Sequence, residues 1–111
     1  MLENCAMSGA FFETYVVSEI IKNLYAYNKD PSANLFYYRD TDFKEIDLLF
    51  VESGKIYPIE IKKGTSPKKP AKNFNVLEKF KLNIMTGFVI DTCDRIRAIN
   101  ENTYSFPVYL L

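Results

Sequence analysis

Asp47, Glu60 and Lys62 are charged residues set inside apolar sequence, and their types suit metal-assisted hydrolysis. Asp47 stands between Ile46 and Leu48, while Glu60 and Lys62 alternate with Ile59 and Ile61. Side chains alternate along a strand, so Glu60 and Lys62 face one way and the two isoleucines the other. A charge buried in such surroundings is costly unless it is paired or bound to a metal. Ser53-Gly54-Lys55 reads as a hairpin turn between the two segments, which brings Asp47 and Glu60 nearly opposite each other. Two carboxylates a few ångströms apart repel, and a hard dication between them resolves the repulsion.

The expected chemistry is phosphodiester hydrolysis. Asp47 and Glu60 would hold Mg²⁺ or Mn²⁺, which polarises a phosphate and acidifies a bound water. Lys62 would orient that water and stabilise charge on the phosphoryl oxygens. Glu13 heads a helical stripe continued by Val16, Val17, Ile20 and Leu24, and this directs it toward the sheet, where it can complete the metal shell. Lys63, Lys68, Lys69, Lys72 and Arg39 are candidates for gripping a nucleic-acid backbone without reading sequence. Glu19 pairs more naturally with Lys22, three residues on. Tyr37, Tyr38 and Tyr57 can stack on bases. The plain alternative is an exposed strand on which Glu60 and Lys62 form an ordinary surface pair.

Charge is unevenly spread, which fits either a solvated lysine loop or a polyanionic partner. Net charge is zero, but residues 1–60 carry ten acids against five bases, and the remainder carries nine bases against four acids. An acidic centre beside a lysine-rich strip suits a metal-dependent enzyme acting on nucleic acid. There is no histidine, which excludes a Ser-His-Asp triad and a His-ligated zinc within the chain. Cys5 and Cys93 lack CxxC spacing and read as small reduced hydrophobes. No glycine-rich loop is present that would cradle a nucleotide phosphate. No apolar run is long enough to cross a bilayer and no signal peptide is evident, so no membrane partner and a cytoplasmic location are expected.

The elements that must position these groups follow from periodicity. With 111 residues, 48% of them apolar, the chain fits one domain over 1–111 with one core. Ser8 is placed to cap a helix running to about Tyr27, before the breaker-rich stretch 28–32. Strands are expected at Leu35–Arg39, Glu45–Val51, Ile56–Lys63 and Gly87–Asp91. A second helix is expected from about Ala71 to Asn83, its apolar side formed by Phe74, Leu77, Phe80 and Ile84. Arg95–Ile99 and Tyr104–Tyr109 read as a C-terminal β-hairpin. The expected fold is α/β: a mixed four-stranded central sheet in the order αβββαβ, flanked by helices, plus that hairpin.

Asp47 followed after twelve residues by Glu60-Ile61-Lys62 resembles the signature of the PD-(D/E)XK nuclease superfamily, with Ile46 in place of the proline. The resemblance implies a restriction-endonuclease-like fold. It matches Asp47, Glu60 and Lys62 to the two acids and the lysine, and Glu13 to the helix-borne acid. Gly9–Glu13, Tyr37–Asp40, Glu45–Leu49 and Tyr57–Lys62 also look like the C-terminal, nuclease-like domain of prokaryotic AAA+-type P-loop ATPases, a domain of unassigned function. That implies an ATPase module as partner, alongside nucleic acid, most plausibly DNA. The apolar tail Phe106–Leu111 can pack on such a partner or on a second copy in a homodimer. Two other readings stay open: a non-catalytic interaction module of the ATPase with a degenerate nuclease fold, and a small-molecule binding domain.

Overall fold

The computed structural model describes residues 5–42, 44–64, 73–80 and 83–111. A long helix, α1 (Cys5–Ala26), is followed by a single turn, α2 (Pro31–Asn34), and then by three strands, β1 (Leu35–Arg39), β2 (Glu45–Glu52) and β3 (Lys55–Ile61). A 3-10 helix (Phe74–Lys79) leads to β4 (Asn83–Ile84), β5 (Gly87–Asp91), β6 (Arg97–Asn100) and β7 (Thr103–Pro107), and a 3-10 turn (Val108–Leu110) follows. All seven strands form one sheet in the order β1-β2-β3-β5-β7-β6, with β4 beside β3.

α1 is helical from Cys5, so Ser8 lies inside the first turns and is not its N-cap. Its far end is a Schellman closure on Asn28, whose φ of 59° places it in the left-handed region. Asn28 N–H donates to Tyr25 O, and Lys29 N–H to Leu24 O. Val16, Ile20 and Leu24 are buried against Leu48, Ile59, Ile61 and Ile90, forming the core on one face of the sheet. Glu19 and Lys22 make the expected surface pair at 2.8 Å. Among the described residues, no helix is long and apolar enough to cross a membrane.

β2 and β3 form the expected antiparallel hairpin, with Glu52 opposite Lys55 and Leu48 opposite Ile59. Ser53 (φ 54°) and Gly54 (φ 77°) are both left-handed at the turn, as a two-residue loop matched to strand twist requires.

Two expectations are corrected. The second helix is not an α-helix: its described part is the 3-10 turn Phe74–Lys79, followed by the short strand β4. The apolar residues Phe74, Leu77 and Phe80 recur every three positions, which is the 3-10 period and puts them on one edge. Leu77 is fully buried in the second core, on the other sheet face, with Tyr38, Ile46, Leu49 and Ile56. The C-terminal hairpin is not an appendage either. β7 pairs in parallel with β5 from Gly87–Thr103 to Asp91–Pro107, so the hairpin extends the central sheet from four strands to seven together with β4. This satisfies the backbone groups along β5 that an edge would leave open.

A polar knot fixes that junction. Asp91 has no exposed surface; Ser105 Oγ donates to its Oδ2 and Cys93 N–H donates to its Oδ1 at 3.0 Å. The Arg97 guanidinium lies 3.9 Å away. Cys93 is a buried free thiol.

Phe74 reaches across to β5, where a Cβ on Gly87 would stand 2.6 Å from its ring. Gly87→Ala should therefore destabilise the fold by about 1–3 kcal/mol through overpacking, and Phe74→Leu in the same chain should recover most of the loss. Urea denaturation of the single and double variants checks this coupling.

Candidate active site

Asp47 sits at an irregularity in β2. Across β1, Phe36 pairs with Leu49 but Tyr38 pairs with Ile46, so Asp47 and Leu48 together oppose the single residue Tyr37. This is a β-bulge, a device that re-aims a side chain. The core composition shows its effect. Ile46 packs with the Leu49 cluster, whereas Leu48 packs against α1, although residues two apart in a regular strand share a face.

The β2–β3 ladder continues as far as the Leu48–Ile59 pair. One step beyond, where Asp47 and Glu60 are neighbours in register, a side chain takes over. The Asp47 carboxylate accepts a hydrogen bond from Ile61 N–H at 2.8 Å through Oδ2. Asp47 thus holds the strand ends together and occupies the space between them.

Glu13 is presented to this point by α1, one helical turn ahead of Val16. It is solvent-exposed, yet its carboxyl is raised above the ordinary glutamate pKa. Partial burial is the main cause, followed by the negative charge of Asp47; Lys62 pulls the other way and Glu45 adds a further push upward. Glu13, Asp47, Glu45 and Lys62 therefore share one electrostatic neighbourhood. A cleft of about 230 Å³ is lined by Glu13, Asp47, Glu45, Arg39, Tyr37 and Tyr38.

Glu60 is placed differently. It is buried at 8% exposure. Ile59 and Ile61 belong to the α1 face, and Pro58 lies against Gly87 beside Phe74, so alternation puts Glu60 on the Phe74 face. Among the described residues, no three Asp, Glu, Cys or His side chains converge as a metal-binding group. The structure brings together Glu13 and Asp47, with Lys62 in electrostatic reach of Glu13, and leaves Glu60 buried and next to Asp47 in register.

The remaining candidates have plain positions. Arg39 is exposed and paired with Glu45 at 2.8 Å across the β1–β2 ladder. Lys62 and Lys63 are exposed at the end of β3, where Lys62 N–H donates to Ile90 O. Lys68, Lys69 and Lys72 lie outside the described residues. Tyr38 is buried and donates its hydroxyl to Asp40. Tyr57 is half-buried against Phe50, ring centroids 5.8 Å apart. Glu45 was not among the sequence candidates; its signal was its place two residues before Asp47 at the start of an apolar strand.

Residues 8–111 match the family described as a domain of unknown function, DUF4143. The chain belongs to the DUF4143 family. Neither a curated protein nor a solved structure matches it.

Glu13 and Asp47 give this DUF4143 domain two carboxylates at one cleft, the oxygen donors a hard dication takes.

Two outcomes test the geometry. Asp47→Ala strands the buried Ile61 N–H and should cost about 1–3 kcal/mol, while Asp47→Asn retains an acceptor and should lose little, as measured by urea denaturation. Glu13 gives a pH signature. Its raised pKa means the folded chain holds this proton more tightly than the unfolded chain, so stability falls as pH climbs from the ordinary glutamate range through the raised value. Glu13→Gln should match the wild type near pH 3.5, below the ordinary glutamate pKa of roughly 4.3. At neutral pH it should melt a few degrees higher. A difference that does not grow with pH would separate Glu13 from Asp47.

Proposed function

We propose that this domain is a nuclease of restriction-endonuclease-like descent that hydrolyses phosphodiesters with Mg²⁺ or Mn²⁺ and serves an ATPase module. The observation that carries this reading is the meeting of Glu13, Asp47 and Lys62, from a helix and two strands, at one end of the sheet. Chance surface charges have no reason to gather where a carboxylate replaces the strand ladder. The αβββ order and the bulged central hairpin are compatible with the proposed descent.

Glu13 and Asp47 would hold the ion, which when bound polarises a phosphate and acidifies water. Oδ2 of Asp47 accepts from Ile61 N–H, which fixes the carboxylate, and Oδ1 would be the oxygen offered to the ion. Lys62 places its ammonium where charge develops on the phosphoryl oxygens. Glu60, buried two residues before Lys62, is the third acid candidate at this end of the sheet. The exposed Lys62 and Lys63 supply sequence-independent attraction to the backbone.

A second reading has its own support. Among the described residues no three acids converge as a metal-binding group, and a domain that has kept the fold and lost catalysis would regulate or dock the ATPase.

Cleavage separates the two. The chain should nick plasmid or single-stranded DNA in Mg²⁺ or Mn²⁺ and not in EDTA. Asp47→Asn and Lys62→Met should each lower the rate at least a hundredfold with unchanged circular dichroism. Full activity in both variants would remove the site. No cleavage by the wild type with either ion would favour the docking module.

A further inference from the structure

Tyr37 is a large aromatic residue left in the open at the acidic cleft. It is 74% exposed, although its strand neighbour Tyr38 is only 9% exposed. It lies on β1, which is an edge of the sheet. Across the ladder it stands opposite the bulged pair Asp47–Leu48, and it lines the same cleft as Glu13 and Asp47. The bulge thus sets a flat, solvent-facing phenol beside the carboxylate that holds the strand ends. Tyr38 and Phe80 are engaged with other groups: Tyr38 donates to Asp40, and Phe80 packs edge-on against Tyr38.

Exposing a tyrosine wastes apolar burial, and an exposed ring serves as a platform for another flat group. Resting on the proposed nuclease reading, we infer that Tyr37 stacks a base of single-stranded nucleic acid and makes an unpaired strand the substrate class of this cleft. A base in a duplex is covered on both sides by its neighbours and cannot lie on Tyr37. A single strand can turn one base onto the ring while the adjoining phosphates are drawn to Lys62 and Lys63. Stacking is indifferent to base identity, so the preference is for strandedness and not for sequence. Lys62 and Lys63, exposed at the end of β3, attract the backbone in either form of DNA and do not discriminate between them.

The test is binding, measured without turnover. Fluorescence anisotropy uses the full chain in EDTA at low salt, with a fluorescein-labelled deoxythymidine oligomer alone and annealed to its complement. The wild type should bind the single strand at least about tenfold more tightly than the duplex. Tyr37→Ala should remove most of that preference, weakening single-strand binding by about tenfold, the size of one base–aromatic stack. Tyr37→Phe should restore it, because stacking needs the ring and not the hydroxyl. Equal affinity for both forms, unchanged binding by Tyr37→Ala, no rescue by Tyr37→Phe, or no binding at all would each overturn the inference. Its outcome is separable from that of the nuclease reading: a chain that binds single strands through Tyr37 but never cuts in Mg²⁺ fails only the latter.

Discussion

A single hydrogen bond organises the end of the sheet. The carboxylate of Asp47 accepts from Ile61 N–H where the β2–β3 ladder gives way to a side chain. The bulge in β2 makes this possible, since the extra residue turns Asp47 out of regular alternation and into the gap between strands. Everything proposed for the cleft descends from that substitution of side chain for backbone. Glu13 has a negative neighbour because Asp47 is there, Lys62 follows directly on the residue that Asp47 grips, and Tyr37 faces the widened segment of β2.

The placement also shows how one charge can be structural and chemical together. One oxygen of Asp47 satisfies a buried donor, and the negative charge as a whole still acts on Glu13. The chain tolerates the repulsion between the two acids because Lys62 partly offsets it and because Glu13 stays in contact with solvent. A fully buried pair would be far more costly.

Much of this was legible in the sequence. The stripe Glu13, Val16, Ile20, Leu24 names the inner face of α1, and the Ser53-Gly54 turn between apolar runs fixes the β2–β3 hairpin and its register. Asp47, Glu60, Glu13 and Lys62 stand out in the sequence because polar groups in apolar sequence need a reason. The bulge was not legible, since one extra residue leaves no mark in composition. The 3-10 turn was misread because Phe74, Leu77 and Phe80 also fit a helical stripe over so short a span. The fate of the C-terminal hairpin was hidden as well, because parallel pairing of β7 with β5 is a long-range choice that local pattern does not encode.

The knot around Asp91 reaches beyond its own corner. A carboxyl group without exposed surface depends on Ser105, which lies on β7, and on the backbone of Cys93. Any trimming that takes β7 away would leave a buried carboxyl group without its hydroxyl partner, at the end of the same strand whose Ile90 receives Lys62 N–H. Residues 103–107 are therefore needed before the middle strands can settle, so the cleft waits on a strand far downstream of the residues that line it.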